Sequence, residues 1–123
     1  MKLFTLLLTS IFLLSNTVAF GGVVSINITS RLNRPIYLSA KAQPKPGETI
    51  QVSPAVLTRS AGNQLVIFDS INLNDSYFEF YLGEFPGDES CTFAYELKHG
   101  ISLAECPDIH YKISADKKSL LIS

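Results

Sequence analysis

The sequence predicts an all-β chain: an antiparallel β-sandwich of about 8 short strands, stapled by one disulfide and preceded by a cleaved signal peptide. Three observations carry this. After residue 19 no stretch repeats apolar residues at i, i+3, i+4 and i+7 over three turns, the spacing an amphipathic helix needs. Short runs alternate apolar and polar residues instead, and Gly, Pro, Asn and Asp separate them at intervals of roughly ten residues, which is how sandwiches and barrels read. Hydrophobic residues make up 46% of the chain and charged residues 17%, against roughly 25% charged in an average soluble protein, so the composition suits a packed core and argues against disorder or a polybasic nucleic-acid binder.

Residues 1–19 stand apart from this pattern. Lys2 supplies one positive charge, residues 3–14 form an apolar stretch broken by Thr5, Thr9 and Ser10, and a polar segment follows that ends with Thr17 and Ala19 at the small-residue positions before a cut. That is the three-part layout of a secretory signal peptide. An apolar stretch of about 12 residues is too short for a membrane span, which takes about 20. The expectation is therefore a mature single domain over residues 20–123, secreted or periplasmic, with no stable membrane anchor. Export also decides how the cysteines read. Cys91 and Cys106 are the only two, and in an oxidising compartment a lone pair is most simply a disulfide.

The elements follow in order. Residues 23–29 read as the first strand, with Val24, Ile26 and Ile28 inward and Ser25 and Asn27 outward. Residues 31–35 turn it, and residues 36–42 follow with Ile36, Leu38 and Ala40 on one face and Tyr37, Ser39 and Lys41 on the other. Pro44, Pro46 and Gly47 make a stiff turn, because proline fixes φ and glycine accepts positive φ. Residues 49–52 form a strand ended by Pro54, which has no N–H for a central ladder. Residues 60–63 are a loop. Residues 64–71 contain the most continuous apolar run, Leu65, Val66, Ile67 and Phe68, and are expected to be buried on both faces. A turn over 72–76 leads to residues 77–82, where Phe78, Phe80 and Leu82 face one way and Tyr77, Glu79 and Tyr81 the other. A second turn over 86–89 leads to a strand over 91–98, and residues 109–113 pair with 119–122 across a turn at 115–118.

The segment between the cysteines holds a conflict of register. A three-residue loop, Lys98-His99-Gly100, sets Leu97 opposite Ile101 and Tyr95 opposite Leu103, but extended onward it pairs Cys106 with Thr92 and leaves Cys91 on the other face. A four-residue loop over 97–100 sets Cys91 across from Cys106 but turns Ile101 and Leu103 away from Phe93 and Tyr95. A disulfide cannot span opposite faces of one ladder. The expected compromise is a β-bulge, or a break in pairing before Cys106.

Charge and aromatic residues are both unevenly spread. Residues 69–108 carry nine carboxylates against Lys98 alone, a net of −8. Residues 20–68 carry Arg31, Arg34, Lys41, Lys45 and Arg59 against Glu48, a net of +4. Tyr77, Phe78, Phe80, Tyr81, Phe85, Phe93 and Tyr95 are seven of the eleven Phe and Tyr residues after residue 19. Tyr77 and Tyr81, beside Glu79 on the face that the apolar set leaves, are the candidate binding residues. Tyrosine offers rigid apolar area and a hydroxyl at low entropic cost, which suits contact with a protein or a glycan.

No constellation of catalytic residues stands out. His99 and His110 are the only histidines, no H-x-H, H-E-x-x-H, C-x-x-C or G-x-S-x-G spacing occurs, and no glycine-rich phosphate loop is present. No cofactor, no nucleic acid and no catalytic residue is expected. Paired carboxylates such as Glu79 with Glu96 are able to meet across adjacent strands, yet nine acidic residues in 40 make such a pairing expected by chance. Asp69, Asn72, Asn74 and Asp75 put four oxygen side chains within seven residues, a weak calcium candidate built from ordinary turn residues. Asn27-Ile28-Thr29 and Asn74-Asp75-Ser76 match the glycan acceptor pattern. Ile26 to Thr29, then Arg34-Pro35-Ile36-Tyr37 and Gly47 to Ile50, resemble the opening hairpin of secreted β-sandwich families such as thaumatin-like domains, over about 30 residues and without the cysteines those families carry there. The function expected is that of a small secreted or periplasmic binding or interaction module rather than an enzyme, acting on an unidentified protein or glycan. A small secreted effector or membrane-active toxin is the second reading, and a small hydrolytic enzyme the third.

Overall fold

A computed structural model describes residues 22–41, 49–70 and 77–123. Ten strands run through them: β1 (Gly22–Ser30), β2 (Ile36–Ala40), β3 (Gln51–Ser53), β4 (Val56–Leu57), β5 (Asn63–Ser70), β6 (Tyr77–Gly83), β7 (Cys91–Glu96), β8 (Gly100–Glu105), β9 (Tyr111–Ile113) and β10 (Ser119–Ile122). A single 3-10 turn, Arg59–Ala61, lies where a plain loop is expected, and there is no α-helix among the described residues. The signal peptide expected at 1–19 and the turns expected at 44–47 and 72–76 lie outside them.

The strands form two five-stranded sheets, ordered β3-β5-β1-β10-β9 and β4-β2-β6-β7-β8. All pairings are antiparallel except β1 with β10, which is parallel. The first strand alternates as its sequence predicts: Val24, Ile26 and Ile28 are buried and Val23, Ser25 and Asn27 exposed. It continues to a buried Ser30, whose hydroxyl accepts the Leu32 N–H at 3.4 Å as the chain leaves the sheet. Residues 31–35 then carry the chain from one sheet to the other. β1 and β2 therefore do not form the opening hairpin that the resemblance implies.

Both sheets bury one face in a common cluster. Val24, Ile26, Ile28, Val66, Phe68, Leu120 and Ile122 come from the first sheet, and Ile36, Leu38, Phe78, Phe80, Leu82, Phe93 and Ile101 from the second. Phe68 joins the two, with its ring centroid 5.1 Å from both Phe78 and Phe80. Phe80 stacks on Phe93 at 5.2 Å, and offset aromatic pairs of this kind add to what burial alone contributes.

β5 corrects the sequence reading. It is not buried on both faces: Val66, Phe68 and Ser70 point inward, whereas Leu65 is 55% and Ile67 37% exposed. Continuous apolar runs belong to strands covered above and below, but β5 lies between β3 and β1, and its outward residues Asn63, Leu65, Ile67 and Asp69 are all exposed. β4, Val56–Leu57, is a two-residue strand that the sequence reading did not separate, with Val56 exposed and Leu57 buried.

The β7–β8 hairpin resolves its conflict by the expected bulge. Thr92, Phe93 and Ala94 pair with Glu105, Ala104 and Leu103, and then the register shifts so that Tyr95 pairs with Ile101 and Glu96 with Gly100. Ser102 is the extra residue, and its hydroxyl donates to the Ala94 carbonyl at 3.4 Å. The loop is Leu97-Lys98-His99, one position earlier than the three-residue loop expected, so Leu97 does not face Ile101 and Tyr95 does not face Leu103. Gly100 closes the loop at φ +76°, where any β-carbon would also run into the Lys117 carbonyl; both facts demand glycine. Beyond the bulge the register leads Cys91 straight across to Cys106, and the disulfide forms there with Cα atoms 4.2 Å apart.

Candidate functional site

The second sheet presents its outer face in rows set by the ladder. On β6, Tyr77, Glu79 and Tyr81 point away from the core, as the alternation predicts. Opposite Glu79 sits Ala94 of β7, and opposite Ala94 sits Leu103 of β8. Opposite Tyr81 sits Thr92, then Glu105, and opposite Tyr77 sits Glu96. On the other side Ser39 of β2 adjoins Tyr81, and the Lys41 N–H donates to the Glu79 carbonyl at 3.0 Å, which places Lys41 beside Glu79. Glu79 and Glu96 are thus diagonal across the β6–β7 ladder rather than facing.

The two tyrosines converge on one carboxylate. Tyr77 Oη donates to Glu79 Oε1 at 3.2 Å and Tyr81 Oη donates to Glu79 Oε2 at 3.2 Å. Lys41 Nζ lies 3.8 Å from Oε2. The three candidate residues are therefore one unit, but they differ in depth. Tyr77 is 47% exposed and Tyr81 only 7%. Position in the sheet explains the difference: Tyr81 has paired strands on both sides, whereas Tyr77 lies beyond the end of β2, whose last residue Ala40 faces Phe80. Tyr81 is correspondingly a support for Glu79 and not an open contact residue, which corrects the expectation that both rings are available. Leu103, 52% exposed, takes a place on this face that the sequence did not reveal. The bulge at Ser102 changes the parity of β8, so Ile101 faces the core and Leu103 faces outward. The outward placement of Thr92, Ala94 and Glu96 was legible in the alternation of β7 with Cys91, Phe93 and Tyr95.

The same contacts shape the ionisation of the face. Burial, the hydrogen bond to Glu79 and its negative charge push the Tyr81 phenol up to about 12, with Glu89 and Tyr77 adding smaller effects. Burial and the same carboxylate raise Tyr77 as well. Because the folded state raises the Tyr81 value above the ordinary 10, the stability this proton confers is complete below about pH 10 and is lost as the pH rises through about 12. A phenolate absorbance titration should show Tyr81 ionising near pH 12, and Glu79→Gln should bring that step down part of the way, since burial remains; an unchanged step would break the link between Glu79 and the phenol.

Other sequence candidates do not assemble. Among the described residues no three His, Cys, Asp or Glu side chains are arranged to hold a metal ion. Asp69 lies on the outer face of β5, opposite Val23 and Gln51, while Asn72, Asn74 and Asp75 lie outside the described residues. His99 sits in the β7–β8 loop with Nε2 3.9 Å from Glu96 Oε2. His110 borders an open depression of about 180 Å3 walled by Cys106, Pro107, Ile109 and Tyr111, with no carboxylate among its lining residues. Asn27 of the first acceptor pattern is exposed on β1. No protein-family model, no curated protein and no solved structure matches this chain.

Proposed function

We propose that the chain is a small secreted or periplasmic β-sandwich, residues 20–123 after loss of the 1–19 leader, that works as a binding module through the Tyr77–Glu79–Tyr81 face, with a protein or a glycan as its partner. The observation that carries this reading is the pair of phenol hydrogen bonds onto Glu79, which hold one carboxylate in place beside an exposed tyrosine ring. A fixed charge next to rigid apolar area loses little entropy on contact, which is what recognition surfaces exploit. The disulfide suits an oxidising compartment, and no helix of the described residues is long and apolar enough to cross a membrane. Retention of a partner on the immobilised protein, screened against secreted proteins and a glycan array, should disappear with Tyr77→Ala, a substitution at an exposed position that leaves the core untouched. Retention unchanged by Tyr77→Ala assigns binding to another surface.

One observation favours the effector or membrane-active reading. Phe85 is 60% exposed at the tip of the β6–β7 loop. Glu84, Asp88 and Glu89 flank it, which disfavours insertion into an anionic bilayer. Dye release from neutral phospholipid vesicles, abolished by Phe85→Ser, is the result that reading requires; a binding module releases none.

A further inference from the structure

Building on that reading, we propose that the occupant of the face is an arginine- or lysine-bearing segment of a partner protein, seated across β6, β7 and β8 with a side-chain cation at Glu79. The charge of this surface is one-sided. Glu79, Glu96 and Glu105 all project from it, within a region of net charge −8 between residues 69 and 108; Lys41, just past the end of β2, is paired with Glu79, and the His99 imidazole lies 3.9 Å from Glu96. The face is also partly apolar. Tyr77 and Leu103 are its exposed large side chains; Leu103 ends the row Glu79, Ala94, Leu103 and Tyr77 stands beside Glu79 at the other end, so a segment reaching the carboxylates also covers them. An aromatic ring beside a carboxylate accepts a guanidinium or ammonium twice over, by charge and by the negative face of its π-system.

The chain already shows which chemistry this position accepts. Lys41 Nζ stands 3.8 Å from Glu79 Oε2, beyond hydrogen-bond distance, and its side chain is 65% exposed. Such a pair holds weakly and is released at little cost. Both carboxylate oxygens meanwhile accept phenol protons from the flanks, so Glu79 keeps its orientation when Lys41 swings aside. A partner cation therefore replaces an internal one at a carboxylate that needs no rearrangement. The same arrangement disfavours acidic partners, whose carboxylates would meet three others.

The experiment is fluorescence anisotropy of a labelled octa-arginine peptide with the purified protein, with a neutral Gly/Ser peptide of equal length as reference. Octa-arginine binding should weaken several-fold between about 50 mM and about 300 mM salt, as screening requires, and Glu79→Gln should weaken it about tenfold. Asp69→Asn, which removes the same charge from the outer face of the other sheet, should change it less than twofold. Lys41→Ala should tighten binding several-fold by removing the internal competitor, whereas Lys112→Ala, equal in charge but on the other sheet, should not. Equal effects of Glu79→Gln and Asp69→Asn, or of Lys41→Ala and Lys112→Ala, reduce the attraction to net charge and overturn the assignment. Retention of a partner that depends on Tyr77 but is indifferent to octa-arginine competition overturns the cationic occupant and leaves the binding face standing; retention indifferent to Tyr77 removes both.

Discussion

Phe68→Ala is expected to destabilise the protein by about 3–5 kcal/mol, the cost of emptying a fully buried aromatic site. Its ring has no exposed surface and meets Phe78 and Phe80 of the opposite sheet at 5.1 Å each. The loss therefore falls on the contact between sheets rather than within one. One residue earlier, Ile67→Ala should cost about 1 kcal/mol, because Ile67 is on the outer face of the same strand, 37% exposed, and its loss leaves no enclosed cavity. Urea unfolding of both variants checks this. Similar losses for the two would mean that β5 is covered on both faces.

Removing the disulfide is the second large effect. Cys91→Ala with Cys106→Ala releases a loop with a sequence separation of 15, for which the chain-entropy model gives about 3 kcal/mol. At roughly 100 residues each kcal/mol moves Tm by about 4–8 °C, so a fall of about 12–24 °C is expected. Thermal unfolding with and without reductant makes the comparison internal: reductant should lower the wild-type Tm by a similar amount and leave the double variant unmoved. A wild-type Tm insensitive to full reduction would show that the β7–β8 ladder holds the return of the chain without help. That ladder ends at Glu105, one residue short of Cys106, so the bridge fixes the point where regular pairing stops.

The alternation of β1, β2 and β6 was readable because each strand's side chains take opposite sides by backbone geometry alone. The disulfide and the bulge were readable together, since two cysteines on one ladder must share a face and no uninterrupted loop allowed both that and an apolar Ile101. The orientation of Tyr77, Glu79 and Tyr81 followed from the same parity. Their depth did not. Whether a tyrosine is open or covered depends on which strands flank it, and the flanking of Tyr81 by β2 and β7 joins segments about 40 and about 10 residues away along the chain. Leu103 escaped for a related reason: a one-residue shift in β8 reverses every later side chain, and the exact place of the extra residue is not written in the local sequence.

β5 shows the limit most clearly. Leu65, Val66, Ile67 and Phe68 form the most continuous apolar run after residue 19, yet only half of it is buried, because among the described residues no element packs on the outer face of its sheet. β1 and β10 make the same point, as they pair in parallel although their residues are about 90 apart and no pattern within either strand specifies a direction. The sequence by itself determined that this chain is made of strands, which face of most of them turns inward, and which two cysteines meet, since period and parity are properties of a strand's own backbone. The tertiary structure alone decided which strands share a sheet, how deep each outward side chain lies, and that Glu79 sits between one open tyrosine and one covered one, because sheet membership arises from non-local pairing and packing that no single segment encodes.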